Sequence, residues 1–367
     1  MKKRILIALG GTGGHVFPAL AFARELNQLN ASIEMQFIGG KLNTNHYFDR
    51  DNNVYHSIAC GKWNLKSFGV VREGVKILRG CYQTGRVVKA FQPDLTIGFG
   101  SYHSFPALLA SKMLGVPLVL YESNSIPGRV VKFFSPYAIK TAVFFPSATK
   151  HLGNHKIAQV KMPLRSYKTH VIAKSEAQQY YNLSPQLLTI LVFGGSQGSK
   201  AINTKFMSSL QALAKATGPF QVVHLTGNRE ETQKLHENYC RIGIPSCVKD
   251  FEENMNMAWK IADMVVSRAG ASSIAEQIEH EVPGLLIPYP HAMDNHQLAN
   301  ALFLEENGMS LKCQEAELTD ERFVFSIKKA MTQLEAMRRN IQAFKVQNQA
   351  PRLAELILDL LKTLSKR

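Results

Sequence analysis

The chain has 367 residues, which at roughly 100–200 residues per domain predicts two domains and excludes a single small stapled module. Hydrophobic residues make up 45% and charged residues 19%, a balance that supports two sizeable cores and excludes disorder as the main state. A formal net charge of +15 favours an anionic partner: nucleic acid, an acidic membrane surface or a phosphorylated ligand.

Five scattered cysteines without a CxxC pair argue against a disulfide framework or zinc site and for a reducing compartment, by default the cytoplasm. After Lys2-Lys3-Arg4, the apolar run 5–9 stops at two glycines, too short for a secretory core, so no cleavage is expected. No stretch approaches the roughly 18 apolar residues of a spanning helix. Any membrane contact is expected to be peripheral.

Residues 5–9 read as a buried strand, followed by a glycine turn and a helix whose Phe22, Leu26 and Leu29 share one face. Residues 32–38 alternate Ile33, Met35 and Phe37 with Glu34 and Gln36, as a strand with one wetter face would. A strand over 95–99, a helix over 106–114 closed by Gly115 and a strand over 118–121 follow. Polar, irregular sequence over 163–184 marks a linker. The pattern then restarts with strands over 189–193, 221–225, 264–267 and 285–287, and helices over 201–213, 229–240, 273–280 and 297–307. A last amphipathic helix, 354–364, follows Pro351. Strands alternating with helices imply parallel sheets covered on both faces, so an α/β chain of two doubly wound domains is expected.

Gly10-Gly11-Thr12-Gly13-Gly14-His15 lies between the first strand and its helix, where backbone N–H groups and the helix dipole favour an anion. It is neither a Walker A loop nor a dinucleotide fingerprint, whose third glycine position holds Val16 here. Gly194-Gly195-Ser196-Gln197-Gly198-Ser199 takes the same place in the second half, with the Ser196 hydroxyl either helping to hold a phosphate or capping the helix. Two opposed loops of this kind would hold a ligand in a cleft. Arg268-Ala269-Gly270 begins a third strand-to-helix junction, in which Glu276 is placed to accept the hydroxyls of a ribose. A fourth run, from Asp294-Asn295-His296-Gln297 to Asn300, offers amides and a carboxylate to sugar hydroxyls, with Asp294 alternatively a helix cap.

On these motifs, present in order along essentially the whole chain, the sequence resembles the MurG family of peptidoglycan N-acetylglucosaminyltransferases. The resemblance implies a glycosyltransferase B fold, two Rossmann-like domains facing across a cleft. Residues 1–165 would form the acceptor- and membrane-associated domain, 166–345 the UDP-N-acetylglucosamine domain, and a helix within 346–367 would pack back on the first. The implied reaction transfers N-acetylglucosamine, with inversion, from UDP-N-acetylglucosamine to the 4-hydroxyl of the muramoyl sugar of undecaprenyl-diphospho-muramoylpentapeptide, giving lipid II. By the family's pattern, His15 is the candidate base or an acceptor contact, or alternatively fixes backbone. Thr12, Gly13, Gly14, Tyr102 and Asn124 would face the acceptor. Arg165 and Ser196 would hold the diphosphate beside Gly195, Gln197 and Ala271, with Phe251 on the uracil side. Glu276 would take the ribose, and His296, Gln297 and Asn300 the donor sugar or its neighbourhood. No cofactor is required, with Mg2+ a stimulant at most.

Four segments depart from that pattern. HEQN is Tyr121-Glu122-Ser123-Asn124, GNPxR is Lys161-Met162-Pro163-Leu164-Arg165, and GGYxSGP is Gly100-Ser101-Tyr102-His103-Ser104-Phe105-Pro106, with a bulky ring where backbone should approach a diphosphate. Phe251-Glu252-Glu253-Asn254 carries a charge where an apolar residue is usual. Donor recognition is therefore expected to be closer to the family's than acceptor recognition.

Between residues 61 and 90 lie Lys62, Lys66, Arg72, Lys76, Arg79, Arg86 and Lys89, interleaved with Trp63, Leu65, Phe68, Val71, Val75, Ile77 and Leu78. This suits a peripheral enzyme resting on the anionic cytoplasmic leaflet of a bacterial plasma membrane, or else a helix with one solvated face. Cell-wall synthesis proteins are expected partners; nucleic acid is not. Asp49-Arg50-Asp51 is literally a DxD, expected not to bind metal. Two other readings stay open: another UDP-sugar enzyme of the same architecture (an epimerase, or a transferase with a different acceptor), and a non-catalytic membrane or nucleic-acid binder.

Overall fold

The computed structural model describes residues 2–61, 70–153, 156–164 and 172–364, and Lys62, Trp63, Leu65, Lys66, Phe68 and Arg165 lie outside them. Two compact units result: Met1–Tyr167 with Ala350–Arg367, and Lys168–Gln349.

The first unit carries strands β1 (Arg4–Ala8), β2 (Glu34–Gly40), β3 (Tyr55–Ile58), β4 (Leu95–Gly98), β5 (Leu118–Glu122), β6 (Lys140–Val143) and β7 (Ile157–Gln159). Helices α1 (Gly13–Leu29), α2 (Val70–Phe91), α3 (Phe105–Met113) and α4 (Arg129–Phe134) are set between them. The sheet is parallel throughout, in the order β3-β2-β1-β4-β5-β6-β7. Its central strands are short unbroken apolar runs because both faces are covered: Ile5, Leu6, Ile7 and Ala8 are all fully buried.

The second unit repeats the design with β8 (Leu188–Phe193), β9 (Phe220–Leu225), β10 (Ser246–Lys249), β11 (Met264–Ser267), β12 (Gly284–Leu286) and β13 (Leu311–Lys312). Its helices are α5 (Lys174–Tyr181), α6 (Lys200–Thr217), α7 (Arg229–Ile242), α8 (Met255–Ile261), α9 (Ala271–His280), α10 (His296–Glu306) and α11 (Asp320–Gln347). The order β10-β9-β8-β11-β12-β13 is again parallel throughout. Side-chain alternation along the strands divides the core in two. Ile190, Val192, Val222, Met264 and Val266 pack with Phe206, Leu235, Phe323 and Leu334 on one face. Leu191, Phe193, Val223 and Val265 pack with Ala177, Tyr181, Ala258 and Trp259 on the other.

The longest helix, α11, spans residues for which the sequence reading assigned no element. Its signal is a buried stripe of Phe323, Ile327, Ala330, Leu334, Met337 and Ile341 at intervals of three and four. Residues 346 and 347 end this helix, so the helix expected within 346–367 is shorter, α12 (Leu353–Leu364). The chain leaves the first unit after Tyr167 and re-enters it at Ala350. There the Lys161 N–H donates to the Pro351 carbonyl at 3.0 Å. α12 lies against α1, burying Leu353, Ala354, Ile357 and Leu361, and Arg352 donates to the buried Glu25 carboxylate at 3.2 Å. Truncating the fully buried Ile357 to alanine is expected to cost about 2–4 kcal/mol of stability in denaturant titration.

Candidate functional site

In both sheets the winding direction reverses at the central pair, β1 beside β4 and β8 beside β11. Loops leaving the carboxyl ends of such a pair run apart, and the crevice they leave is where open α/β sheets bind ligands. The motifs singled out in the sequence sit there: residues 9–15 after β1, 99–104 after β4, 194–199 after β8 and 268–271 after β11.

In the first unit, Thr12 precedes α1 in an extended conformation and is exposed, as is Gly14, while Gly13 is buried. The first turn of α1 is tight, the His15 N–H donating to the Thr12 carbonyl at 3.0 Å. The half-buried His15 imidazole lies against Gly100, where a β-carbon would stand 3.3 Å from its Cδ2. Asn45 braces the loop by donating to the Gly11 carbonyl at 2.8 Å.

The loop after β4 is strained. Ser101 holds φ 68 and ψ 145, a region that a β-carbon disfavours by about 1–3 kcal/mol. Tyr102 stacks on His103 with ring centroids 4.0 Å apart, and His103 Nδ1 meets the Cys60 thiol at 3.2 Å. The bulky ring expected to obstruct the loop does not do so. Phe105 begins α3, is 7% exposed and packs on Phe133 and Phe134, because its helical backbone turns the side chain into the core.

Glu122 staples the next loop shut. Its Oε1 accepts from the backbone and side-chain N–H groups of Asn124 at 2.9 and 3.2 Å, and its Oε2 from the Gly128 N–H at 2.8 Å. Burial pushes its pKa up, against the opposing pull of those donors. Asn124 is thus held by the acid beside it. Asp49 of the DxD closes a turn by accepting from Asn52.

In the second unit, Ser196 and Gln197 are exposed at the tip of the loop after β8, and Gly195 has φ 91. Ser199 caps α6, accepting from the Ile202 N–H, so Ser196 is not the cap. Gly198 has φ 69, and a β-carbon there would lie 2.2 Å from the Thr226 carbonyl oxygen. A buried network behind this crossing escaped the sequence reading. The Tyr239 hydroxyl donates to His224 Nδ1 at 2.9 Å and His224 Nε2–H to Asn203 Oδ1 at 3.0 Å, while Asn203 Nδ2 donates to the Thr226 carbonyl and the Glu231 carboxylate. Asn203 and His224 are apolar-face positions of α6 and β9 occupied by polar residues, which is the signal that marks them.

Ala271 opens α9 after Gly270. One turn further on, Glu276 Oε2 accepts from the Trp259 indole N–H at 2.7 Å. Arg268 does not reach outward: it is 9% exposed, donates to the carbonyls of Ile287 and Pro288, and pairs with Glu315. Asp294 and Asn295 are both left-handed, and Asn295, not Asp294, occupies the cap position of α10. His296 Nδ1 meets the Met293 carbonyl at 2.8 Å, and Gln297 Oε1 accepts from the Tyr289 N–H at 3.0 Å. Asn300 is fully buried and donates to the Ala269 carbonyl at 3.2 Å; it stands behind the loop, not at its surface.

Phe251 is 54% exposed, whereas Glu252, the charge at a usually apolar position, is turned inward. Burial opposes its ionisation, but hydrogen bonds from Lys249, the Asn254 N–H and Tyr181 hold its pKa below the usual carboxylate value.

On α2, Val71, Val75, Leu78 and Tyr82 are exposed at 79, 58, 71 and 70% and recur every three or four residues, while Gly80, Thr84, Val88 and Phe91 are buried. An ordinary surface helix has a polar outer face. This one carries an outward apolar stripe among Arg72, Arg79, Arg86 and Lys89.

Two Rossmann-type units of one strand order, each with a glycine loop and a helix N-terminus at its switch point, are the architecture of the glycosyltransferase B fold. Residues 5–143 match the glycosyltransferase family 28 N-terminal domain and residues 189–357 its C-terminal domain. A UDP-N-acetylglucosamine–N-acetylmuramyl-(pentapeptide) pyrophosphoryl-undecaprenol N-acetylglucosamine transferase of Protochlamydia amoebophila is 40% identical, the match covering 100% of this chain and 98% of that one. The enzyme of the same name from Bacillus subtilis is 31% identical, over 98% and 100%. The crystal structure of Acinetobacter baumannii MurG superposes with a TM-score of 0.76 at 25% identity, covering 98% of this chain and 99% of that one. The chain belongs to the MurG family of family 28 glycosyltransferases.

The network behind the glycine loop after β8 is expected to be acid-sensitive. Burial drives the His224 pKa from 6.5 down to about 3, so below pH about 6.5 the unfolded chain takes up a proton that the native imidazole refuses. Thermal stability is expected to be unaffected by this group above that pH and to fall as pH drops from about 6.5 towards 3. Melting curves of His224→Gln should show a shallower decline across the same window.

Proposed function

We propose that the chain transfers N-acetylglucosamine from UDP-N-acetylglucosamine to the muramoyl sugar of an undecaprenyl-diphosphate-linked muramoyl peptide, with inversion. The observation that carries this is the 40% identity, end to end, to an enzyme named for that transfer. The geometry supplies the means.

The second unit takes the donor. The glycine loop 194–199 and the head of α6 offer N–H groups to the diphosphate, joined by the Ser196 hydroxyl. Glu276 accepts the ribose hydroxyls, and Phe251 covers the uracil. His296 and Gln297 present the loop beside the sugar, with Asn300 supporting it through Ala269. Fixed dipoles aimed at the leaving diphosphate lower the barrier to its departure and can do a divalent cation's work, so the reading needs no cofactor, with Mg2+ a stimulant at most.

The first unit takes the acceptor at Thr12, Gly13, Gly14, Tyr102 and Asn124. His15, at the head of α1 with its ring on Gly100, removes the proton of the attacking hydroxyl, a task suited to an imidazole near neutral pH. Among the described residues no helix is long and apolar enough to cross a membrane. The apolar stripe and basic flanks of α2 instead seat the enzyme on an anionic leaflet, where its lipid-linked acceptor resides.

Three variants test this reading. With labelled donor and a lipid I analogue, His15→Ala is expected to lower kcat at least a hundredfold while UDP binding changes less than threefold. Glu276→Gln should weaken UDP binding and kcat/KM together, by about tenfold or more; equal effects of the two variants on binding would overturn the assigned roles. Leu78→Glu on α2 should reduce co-sedimentation with phosphatidylglycerol vesicles several-fold and leave turnover of a detergent-soluble acceptor unchanged.

A further inference from the structure

We infer that Trp259 is a positioning residue for donor recognition: its indole N–H locks the Glu276 carboxylate in the orientation that reads the ribose diol. This rests on Glu276 being the ribose ligand.

Trp259 lies on α8 and is 1% exposed. Indole has one donor and no acceptor, and here that donor goes to Glu276 Oε2 at 2.7 Å, the short distance of a charge-assisted bond. The ring itself cannot turn. Phe193 meets it edge-on with centroids 5.6 Å apart at 90°, and His280 stacks on it at 6.1 Å and 10°.

A carboxylate tied at one oxygen to an immobile ring loses its rotation about the terminal bond, so the direction of its other oxygen is set before any ligand arrives. Recognition of two vicinal hydroxyls depends on that direction, and an acceptor already ordered loses less entropy on binding. Phe193 is the last residue of β8, directly before the glycine loop. One aromatic ring therefore fixes the ribose-side carboxylate relative to the strand that carries the diphosphate-side loop. Trp259 and Glu276 are seventeen positions apart in the chain with a β-strand between them, so no local pattern joins them.

A merely structural tryptophan would affect stability but not the choice between ribose and deoxyribose. The test uses the full-length enzyme with a lipid I analogue and compares UDP-N-acetylglucosamine with its 2′-deoxy analogue for wild type, Trp259→Phe, Glu276→Gln and the double variant. Trp259→Phe is expected to raise the donor KM about tenfold with kcat within about twofold, and to compress the wild-type preference for the ribose donor. Glu276→Gln is expected to abolish that preference, and adding Trp259→Phe to it should change nothing more.

If Trp259→Phe keeps the full preference while Glu276→Gln loses it, the role of Trp259 is overturned and the ribose assignment stands. If Glu276→Gln keeps the preference, the ribose assignment falls and this inference with it. Should Trp259→Phe not fold, as judged by its melting curve, benzothienylalanine at position 259 keeps the ring and removes the N–H. It should show the same compression, and an unchanged preference in that variant would overturn the inference.

Discussion

The constraint behind this architecture is the handedness of the parallel β-α-β crossover. Because each crossover is right-handed, a sheet can be covered on both faces only if the chain reverses its direction of winding once. The reversal leaves one place where adjacent loops part, between β1 and β4 in the first unit and between β8 and β11 in the second. Glycines, helix N-termini and polar side chains gather there because the parted loops offer backbone donors beside an open crevice.

Most of this was legible in the sequence, and for a physical reason. A strand covered on both faces must be an unbroken apolar run, so β1, β4, β5, β8 and β11 announce themselves, and the glycines after β1, β4, β8 and β11 mark the carboxyl ends. Two of the elements without a sequence assignment, β13 and α11, differ in the reason. β13 is two residues long and becomes a strand only by pairing with β12. α11 has a readable apolar stripe, but no glycine turn preceded it to direct attention there.

The site was legible in its loops and not in what supports them. Glu252 and Phe105 looked like intrusions because sequence gives residue type without direction; both side chains turn inward, one into a cage of Lys249 and tyrosines and the other into an aromatic cluster. The motif marks Gln297 and Asn300 for the donor sugar or its neighbourhood, and it does not show that their amides also engage the backbone at Tyr289 and Ala269. Chemistry of this kind needs rigid loops, and rigidity comes from buried polar groups on other elements. Glu122, Asn203 and His224 do that work here, and a one-dimensional motif has no place to record it.

The first unit is discontinuous along the chain, since α12 belongs to it while the whole of Lys168–Gln349 intervenes. During synthesis the ribosome must therefore release the second unit before the partner of α1 exists. Until then the α1 surface around Glu25 stays uncovered, and the earlier-made half waits for the later-made one before its last helix can dock.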